Sequence, residues 1–544
     1  MLQLKNKIPH CGAVISLAAM ALAACGGGGS STLDLSMTPL DNHVTIASGS
    51  LVGNPADASG IFSFQGIPYA AAPVGNLRWK EPQPVQPWSG QRSATNSGAR
   101  CWGAAPFGGP IVTDNVSEDC LFLNVWSGAK TRGAKLPVMV FLHGGGFQFG
   151  TTSDSSNYGF PLDGTSLSKK GVVLVTLNYR LGVFGFLTRP DLDAESNGHK
   201  SGMYGMQDQI AALQWVKSNI AAFGGDPANV TVFGESAGAH ATGMLMASPL
   251  AAGLFQKAIG ESGAFWESVN GEMKPYADAQ TMGLALGAQF NAPTLDKLRA
   301  VPALQLQTAT NWTLATDPGV TNFAPMVDGY VLKENPYVTF MNGRQNDVPL
   351  LAGWNADEGL AFFNWALPHQ TIQAYSDAAT AKFGAANLQS FLQAYPANSV
   401  DQATQSAQSL VGDLVIKYQT WGWITQQQKT GHSPVYAYNF GQVSAFNPIA
   451  THGTEVGYVF GHFAPGPAAP SAQDLAVSDT MQSYWTNFAR TGNPNGAGLP
   501  QWPQYTGAGS QAMQIGNVIQ AGPEEGTDRF KFLDRFRVNG IISY

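Results

Sequence analysis

Two near-continuous apolar runs, "LPVMVFLHGGG" (136–146) and "GVVLVTLNY" (171–179), constrain the fold of this chain more than any other feature. Side chains alternate between the two faces of a strand, so a run apolar at every position suits a strand buried on both faces. A third strand, "NVTVFG" (229–234), follows "GMQDQIAALQWVKSNIAAF" (205–223), whose apolar residues recur at helical spacing. Strand, helix, strand and helix in succession predict an α/β architecture, a largely parallel sheet covered by helices on both faces. Later strands are expected at "DVPLLAGW" (347–354) and "PVYAYNF" (434–440). The stretches 270–345 and 365–430 read as helices and loops suited to a cap. No internal repeat or second long apolar span is visible, so residues 41–544 are expected to form one unit.

The third strand runs into "GESAG", which places Ser236 between Gly234 and Gly238. A strand, a sharp turn and a helix expose a serine hydroxyl above a sheet, and flanking glycines allow the strained turn. The helix that begins near Ala237 directs partial positive charge to the same place. A serine is a weak nucleophile unless an imidazole accepts its proton, and a carboxylate must hold that imidazole. On such a fold the chain order is serine, acid, histidine. "GWNADEG" (353–359) supplies Asp357 and Glu358, and "NPIATHGTEVGYVFG" (447–461) supplies His452. Both lie after predicted strands, at the carboxyl ends where ligands bind in parallel sheets. His462 is the local rival to His452.

With a formal charge of −7 and only 12% charged residues, the chain has no Lys/Arg cluster of the kind that nucleic-acid binding needs. It also offers no H-E-x-x-H or cysteine-histidine cluster for a metal, and no cofactor is expected. Lys5 and Lys7 precede the apolar stretch "CGAVISLAAMALAAC", an export signal over residues 1–24. Its end, "LAAC", resembles the lipobox of bacterial lipoproteins. That resemblance makes Cys25 the lipidated first residue of the mature chain and residues 25–40, with "GGGGSS", a flexible tether. Gly26 after the cysteine leaves the outer membrane open as the destination. A plain secretory signal is the alternative. Cys101 and Cys120 then remain as a pair, either a disulfide in an oxidising compartment or two buried thiols.

Several longer motifs accompany these residues: "FQGIPYAAAPVGNLRWKEPQP" (64–84), "SEDCLFLNVW" (117–126), "PVMVFLHGGGFQFG", "NYRLGVFGFL", "YGMQDQIAALQWVKSNIAAFGGDPANVTVFGESAGA", "DEG" and "HGTEVGYVFG". In them the chain resembles the type-B carboxylesterases, the branch of the α/β-hydrolase family that includes the cholinesterases. The resemblance implies an α/β-hydrolase fold, with a large, mostly parallel central sheet flanked by helices and with helical cap insertions. It implies hydrolysis of carboxylic esters through an acyl-enzyme, with Ser236 as nucleophile, Glu358 as acid and His452 as general base. Asp357 is the alternative acid. "HGGGF" then places Gly145 and Gly146 in an oxyanion hole, with Ala237 as third donor.

The partner expected is a small-molecule ester with an apolar acyl or alcohol group, and Phe147, Phe323, Met326, Phe362 and Phe363 are candidate pocket walls. Carbamate, amide or polymeric-ester hydrolysis by the same triad, and a non-catalytic cholinesterase-like binding protein, are the rival readings. The resemblance further implies a disulfide-bounded loop from Cys101 to Cys120, and two structural ion pairs, Arg78 with Asp208 and Arg180 with Glu118. Trp102 alone, directly after the first cysteine, does not reproduce the choline-binding tryptophan of the longer cholinesterase loop. His143 is expected to brace the loop; His240, one helical turn beyond Ser236, is expected to pack, with facing the site as the alternative; Glu235 and Ser262 are expected to hydrogen-bond behind the site.

Overall fold

The computed structural model describes residues 37–105, 109–155, 157–196, 199–264, 273–311, 323–538 and 541–542. The export signal over 1–24, Cys25 and most of the tether lie outside the described residues. The apolar runs form the middle of a ten-stranded sheet. Its strands are β1 (Phe62–Pro68), β2 (Phe122–Ser127), β3 (Leu136–Leu142), β4 (Val173–Leu177), β5 (Gly225–Glu235), β6 (Lys257–Glu261), β7 (Leu350–Asn355), β8 (Val435–Phe440), β9 (Gln511–Ile515) and β10 (Ile519–Pro523). The spatial order is β10-β9-β8-β7-β6-β5-β3-β4-β2-β1. Strands from β4 to β9 run parallel, and antiparallel pairings at β2, β1 and β10 close the two edges.

The strand period divides the core into two layers. Val138, Val140 and Leu142 of β3 join Val230 and Val232 of β5 on one face. Met139 and Phe141 join Phe233 and Ile259 on the other. Helices α1 (Tyr204–Asn219), α2 (Ala237–Ala247) and α3 (Tyr418–Thr430) contribute Leu213, Leu245 and Trp423 to the first layer. Helices α4 (Thr454–Phe460) and α5 (Ala472–Thr491) contribute Val456 and Trp485 to the second. At roughly 1.5–3 kcal/mol for each large apolar side chain buried, this two-sided burial is the main stabilising term.

Every strand expected from the sequence is present, most of them shorter than their apolar runs because the flanking glycines and polar residues turn the chain. Strand β6, "KAIGE", carries a charge at each end and so gives no apolar run. It is nevertheless buried throughout. Lys257 bonds Asn229, and Glu261 accepts from the Trp485 indole at 2.6 Å. The two cap stretches are mainly helical, with helices such as Tyr276–Gln289 and Ile372–Phe383. In the second, Val400–Gly412 passes through a π-helical turn, Asp413–Lys417, into α3.

Cys101 and Cys120 form a disulfide, with Cα atoms 5.0 Å apart. The cross-link contributes about 3 kcal/mol in the chain-entropy model, and it suits a protein that folds in an oxidising compartment. Trp102 lies beside it at a small cleft with Arg78, Glu118 and Arg180. In that cleft the expected ion pairs exchange partners. Arg78 binds Glu118 through Nε at 2.6 Å, and Arg180 binds Asp208 with two side-chain bonds of 2.7 Å. The physical reason is position. Glu118 is carried to Arg78 by the segment that Cys120 anchors, whereas Asp208, on α1, faces the chain leaving β4 and also accepts the Arg180 backbone N–H at 3.1 Å. Charge alone cannot tell the four residues apart. Arg180 and Asp208 are 3% and 0% exposed, so removing one partner strands a buried charge. Asp208→Asn is expected to destabilise the protein by about 3–5 kcal/mol, read as a lower urea midpoint; an unchanged midpoint would contradict this.

Candidate active site

Strand β5 ends at Glu235, and helix α2 begins at Ala237, leaving Ser236 alone in the turn with φ 54° and ψ −121°. A non-glycine residue in that region costs about 1–3 kcal/mol, and such strain persists only where the surroundings over-determine it. Here the Ser236 N–H donates to the Glu261 carbonyl at 2.9 Å, tying the turn to β6. The flanking glycines are required by contact. A Cβ on Gly238 would lie 1.9 Å from the Leu142 carbonyl oxygen, and one on Gly234 2.6 Å from the Gly238 carbonyl. The backbone after β3 therefore runs directly against the turn.

That backbone is "HGGGF". Gly145 has φ +112°, and a Cβ there would meet the Phe149 carbonyl oxygen at 2.1 Å. Gly145, Gly146, Ser236 and Ala237 line one cavity of about 530 Å³. Among the described residues, no acceptor is paired with the amides of Gly145, Gly146 or Ala237. His143 anchors this loop from below. It is fully buried, donates through Nδ1 to the Gly144 carbonyl at 2.8 Å, and stacks on Tyr179, whose hydroxyl donates to the His143 carbonyl at 2.7 Å. Burial lowers its pKa to about 4, so it is a neutral brace.

The predicted acid and base come together from the ends of β7 and β8. The Asp357 N–H donates to the Ala450 carbonyl at 2.9 Å, a single parallel bridge joining the two loops. Glu358 accepts from the Asn355 N–H at 2.7 Å through Oε1, and from His452 Nδ1 at 2.6 Å through Oε2. Asp357 points elsewhere, accepting from the Leu360 N–H and the Gln408 amide. His462 stands 3.7 Å from Asp163 and is absent from the described cavity wall.

On its other side His452 presents Nε2 to Glu235 Oε1 at 3.3 Å. No hydrogen bond among the described residues joins this imidazole to the Ser236 hydroxyl, although both line the cavity. Glu235 is held by the Tyr158 hydroxyl, which donates to it at 2.9 Å and accepts from the Gly144 N–H at 2.7 Å. Burial opposes charge on His452, but Glu235 and Glu358 overcome it and raise its pKa to about 9. Burial likewise acts on Glu358, but His452 outweighs it and holds that carboxyl below its usual value. Burial raises Glu235 to about 7 despite the imidazole and Tyr158.

Glu455 was not distinguished in the sequence, yet it is wholly buried three residues after His452. It accepts from Ser262 at 2.5 Å and from Asn355 at 2.5 Å, and burial with Glu358 nearby raises it to about 8. A lone carboxylate leading the apolar run "VGYVF" was the available signal. Tyr158, in a polar loop, gave none. Of the candidate pocket walls, Phe147 and Phe362 line the cavity. Phe323 and Met326 turn into the core and leave Ala324 and Pro325 at the wall, while Phe363 packs on His369. Val415, Ile416 and Gln419, from the π-helical turn and α3, close the side toward the cap. Among the described residues no cluster is suited to hold a metal ion.

Residues 40–532 match the model of a family described as the carboxylesterase family. Fumonisin B1 esterase of Sphingopyxis macrogoltabida is 35% identical over 499 residues, covering 87% of this chain and 86% of that protein. Para-nitrobenzyl esterase of Bacillus subtilis is 35% identical over 462 residues, with 82% and 89% covered. Carboxylesterase 1E of Mus musculus is 34% identical over 505 residues, with 84% and 86% covered.

Proposed function

Because the chain belongs to the carboxylesterase family and is a carboxylic ester hydrolase of the α/β-hydrolase fold, we propose that Ser236, His452 and Glu358 carry its reaction. The observation that carries this reading is that His452, lining the same cavity as the strained Ser236, is bonded at 2.6 Å to a fully buried Glu358 behind it. His452 removes the Ser236 proton as the hydroxyl oxygen attacks the ester carbonyl. The amides of Gly145, Gly146 and Ala237 donate to the oxyanion, each worth about 2.7–4 kcal/mol in the transition state. The alcohol leaves with the proton from His452, and water then attacks the acyl-enzyme by the same steps in reverse. Such contacts tighten on substrate binding, and here tightening means that Nε2 turns from Glu235 toward the Ser236 hydroxyl.

The wall is chiefly apolar and, among the described residues, holds no lysine or arginine. Uncharged esters with apolar acyl or alcohol groups fit it. Cys25 as a lipid anchor, following cleavage of the export signal, fits the lipobox-like "LAAC" and the disulfide.

Ser236→Ala is expected to lower kcat on p-nitrophenyl acetate by at least about a thousandfold; full activity in that variant would remove the mechanism. The base works only as neutral imidazole, and its raised pKa makes kcat/KM climb with pH toward about 9. Glu235 is ionised in the upper part of that range, and its charge favours imidazolium. Glu235→Gln is therefore expected to move the rising limb toward lower pH by about one to three units; a limb that stays or moves alkaline would contradict the assignment. Globomycin, which blocks lipoprotein signal cleavage, is expected to leave the precursor unprocessed, and normal processing in its presence would exclude lipidation of Cys25.

A further inference from the structure

A second imidazole opens on the same cavity and takes no part in the steps above. His240 lies one helical turn beyond Ser236 on α2 and is only partly covered. Two bonds clip it to the nucleophile's own backbone. Its main-chain N–H donates to the Ser236 carbonyl at 2.9 Å, and its ring Nδ1 lies 2.7 Å from the same oxygen. A carbonyl can only accept, so Nδ1 carries the proton and Nε2 holds a free lone pair. Gly263 makes room for this arrangement, because a Cβ there would lie 2.6 Å from the Ser236 carbonyl oxygen and 2.9 Å from Nδ1. No described residue bonds to Nε2, and it is not among the side-chain atoms sealed from solvent without a partner.

We propose that His240 is a specificity-determining residue, whose Nε2 accepts a hydrogen bond from a hydroxyl group on the ester and so favours hydroxylated esters over their plain counterparts. This rests on the reading of Ser236 as nucleophile, since the ring's fixed place relative to Ser236 sets where the hydroxyl must lie. Three features select a neutral donor. A lone pair attracts O–H and repels carboxylate, and the described cavity wall has no lysine or arginine to hold an anion. An alcohol hydroxyl gives up less hydration than an ammonium does on entering this chiefly apolar cavity. Burial lowers the His240 pKa to about 4 despite the bond to the Ser236 carbonyl, so the ring stays neutral wherever the esterase works. The bond also costs little ordering, because the acceptor is already held in place.

The test compares two pairs of substrates. On the acyl side these are p-nitrophenyl 3-hydroxybutyrate and p-nitrophenyl butyrate; on the alcohol side, 2-hydroxyethyl butyrate and ethyl butyrate. The wild-type protein is expected to prefer the hydroxylated member of at least one pair by about three- to tenfold in kcat/KM, the range of one neutral hydrogen bond. His240→Asn keeps a donor for the Ser236 carbonyl but removes the acceptor that reaches into the cavity, and is expected to bring the ratio to about one. His240→Gln, whose longer amide reaches in again, is expected to restore part of it. Ratios taken within one variant cancel any general loss of activity or folded fraction. No preference in the wild type for either pair overturns the proposal, and so does a preference unchanged in His240→Asn. Failure to hydrolyse either p-nitrophenyl ester would instead sink the esterase reading, and this one with it.

Discussion

The close passage of the backbone after β3 against the turn after β5 is the constraint on which the site depends. The Leu142 carbonyl sits where a Cβ of residue 238 would go, and a Cβ on Gly144 would meet the Glu235 carboxylate at 2.4 Å. Only because three glycines and a parallel register allow this approach do the bare amides of one loop and the hydroxyl of the other face a common space. Two parallel strands in direct register, with Gly234 opposite Leu142, supply the alignment, and the glycines remove the obstacle. The strain at Ser236 is held by the hydrogen bond that its N–H donates to the Glu261 carbonyl on the next strand, so sheet order and elbow geometry support each other.

Charge is arranged with similar economy. Glu235, Glu261, Glu358 and Glu455 are all buried around or beneath one imidazole. Four bare carboxylates so close together would repel strongly and lose their hydration. Burial first, and then the neighbouring carboxylates, raise Glu455 to about 8 and Glu261 well above its usual value, which favours the neutral form of both. Glu358, bonded to His452 and to the Asn355 amide, is the one held below its ordinary range. The acid bonded to Nδ1 of the imidazole thus holds its charge more readily than the carboxyls around it. Glu235 lies between these cases, and it links the imidazole through Tyr158 to Gly144 and the amide loop.

Much of this is legible in the amino-acid sequence. Unbroken apolar runs announced β3, β4 and β5, and the glycines of "GESAG" and "HGGG" marked the close approaches. The order serine, acid, histidine points to His452 and to Asp357 or Glu358, and the resemblance to the carboxylesterases favours Glu358 as the candidate acid. Its neighbours decided: Asp357 bridges loops and binds Gln408, whereas Glu358 turns inward. Strand β6 gives no such signal, because its burial is stabilised by hydrogen bonds to Lys257 and Glu261 rather than by an apolar run. His240, one helical turn beyond Ser236, can pack or face the site by its spacing, since helical spacing cannot show whether a side chain meets a neighbour or a cavity.

The amino-acid sequence by itself determined the parallel α/β framework, the strained serine turn and the candidate residues for the proposed acyl transfer. These follow from local patterns: strand period, glycine spacing and residue chemistry at strand ends. Only the tertiary structure decided which arginine pairs with which acid, which carboxylates are charged, and where the second imidazole points. Those depend on distances between segments far apart in the chain and on exclusion of water, and neither quantity is written in the order of residues.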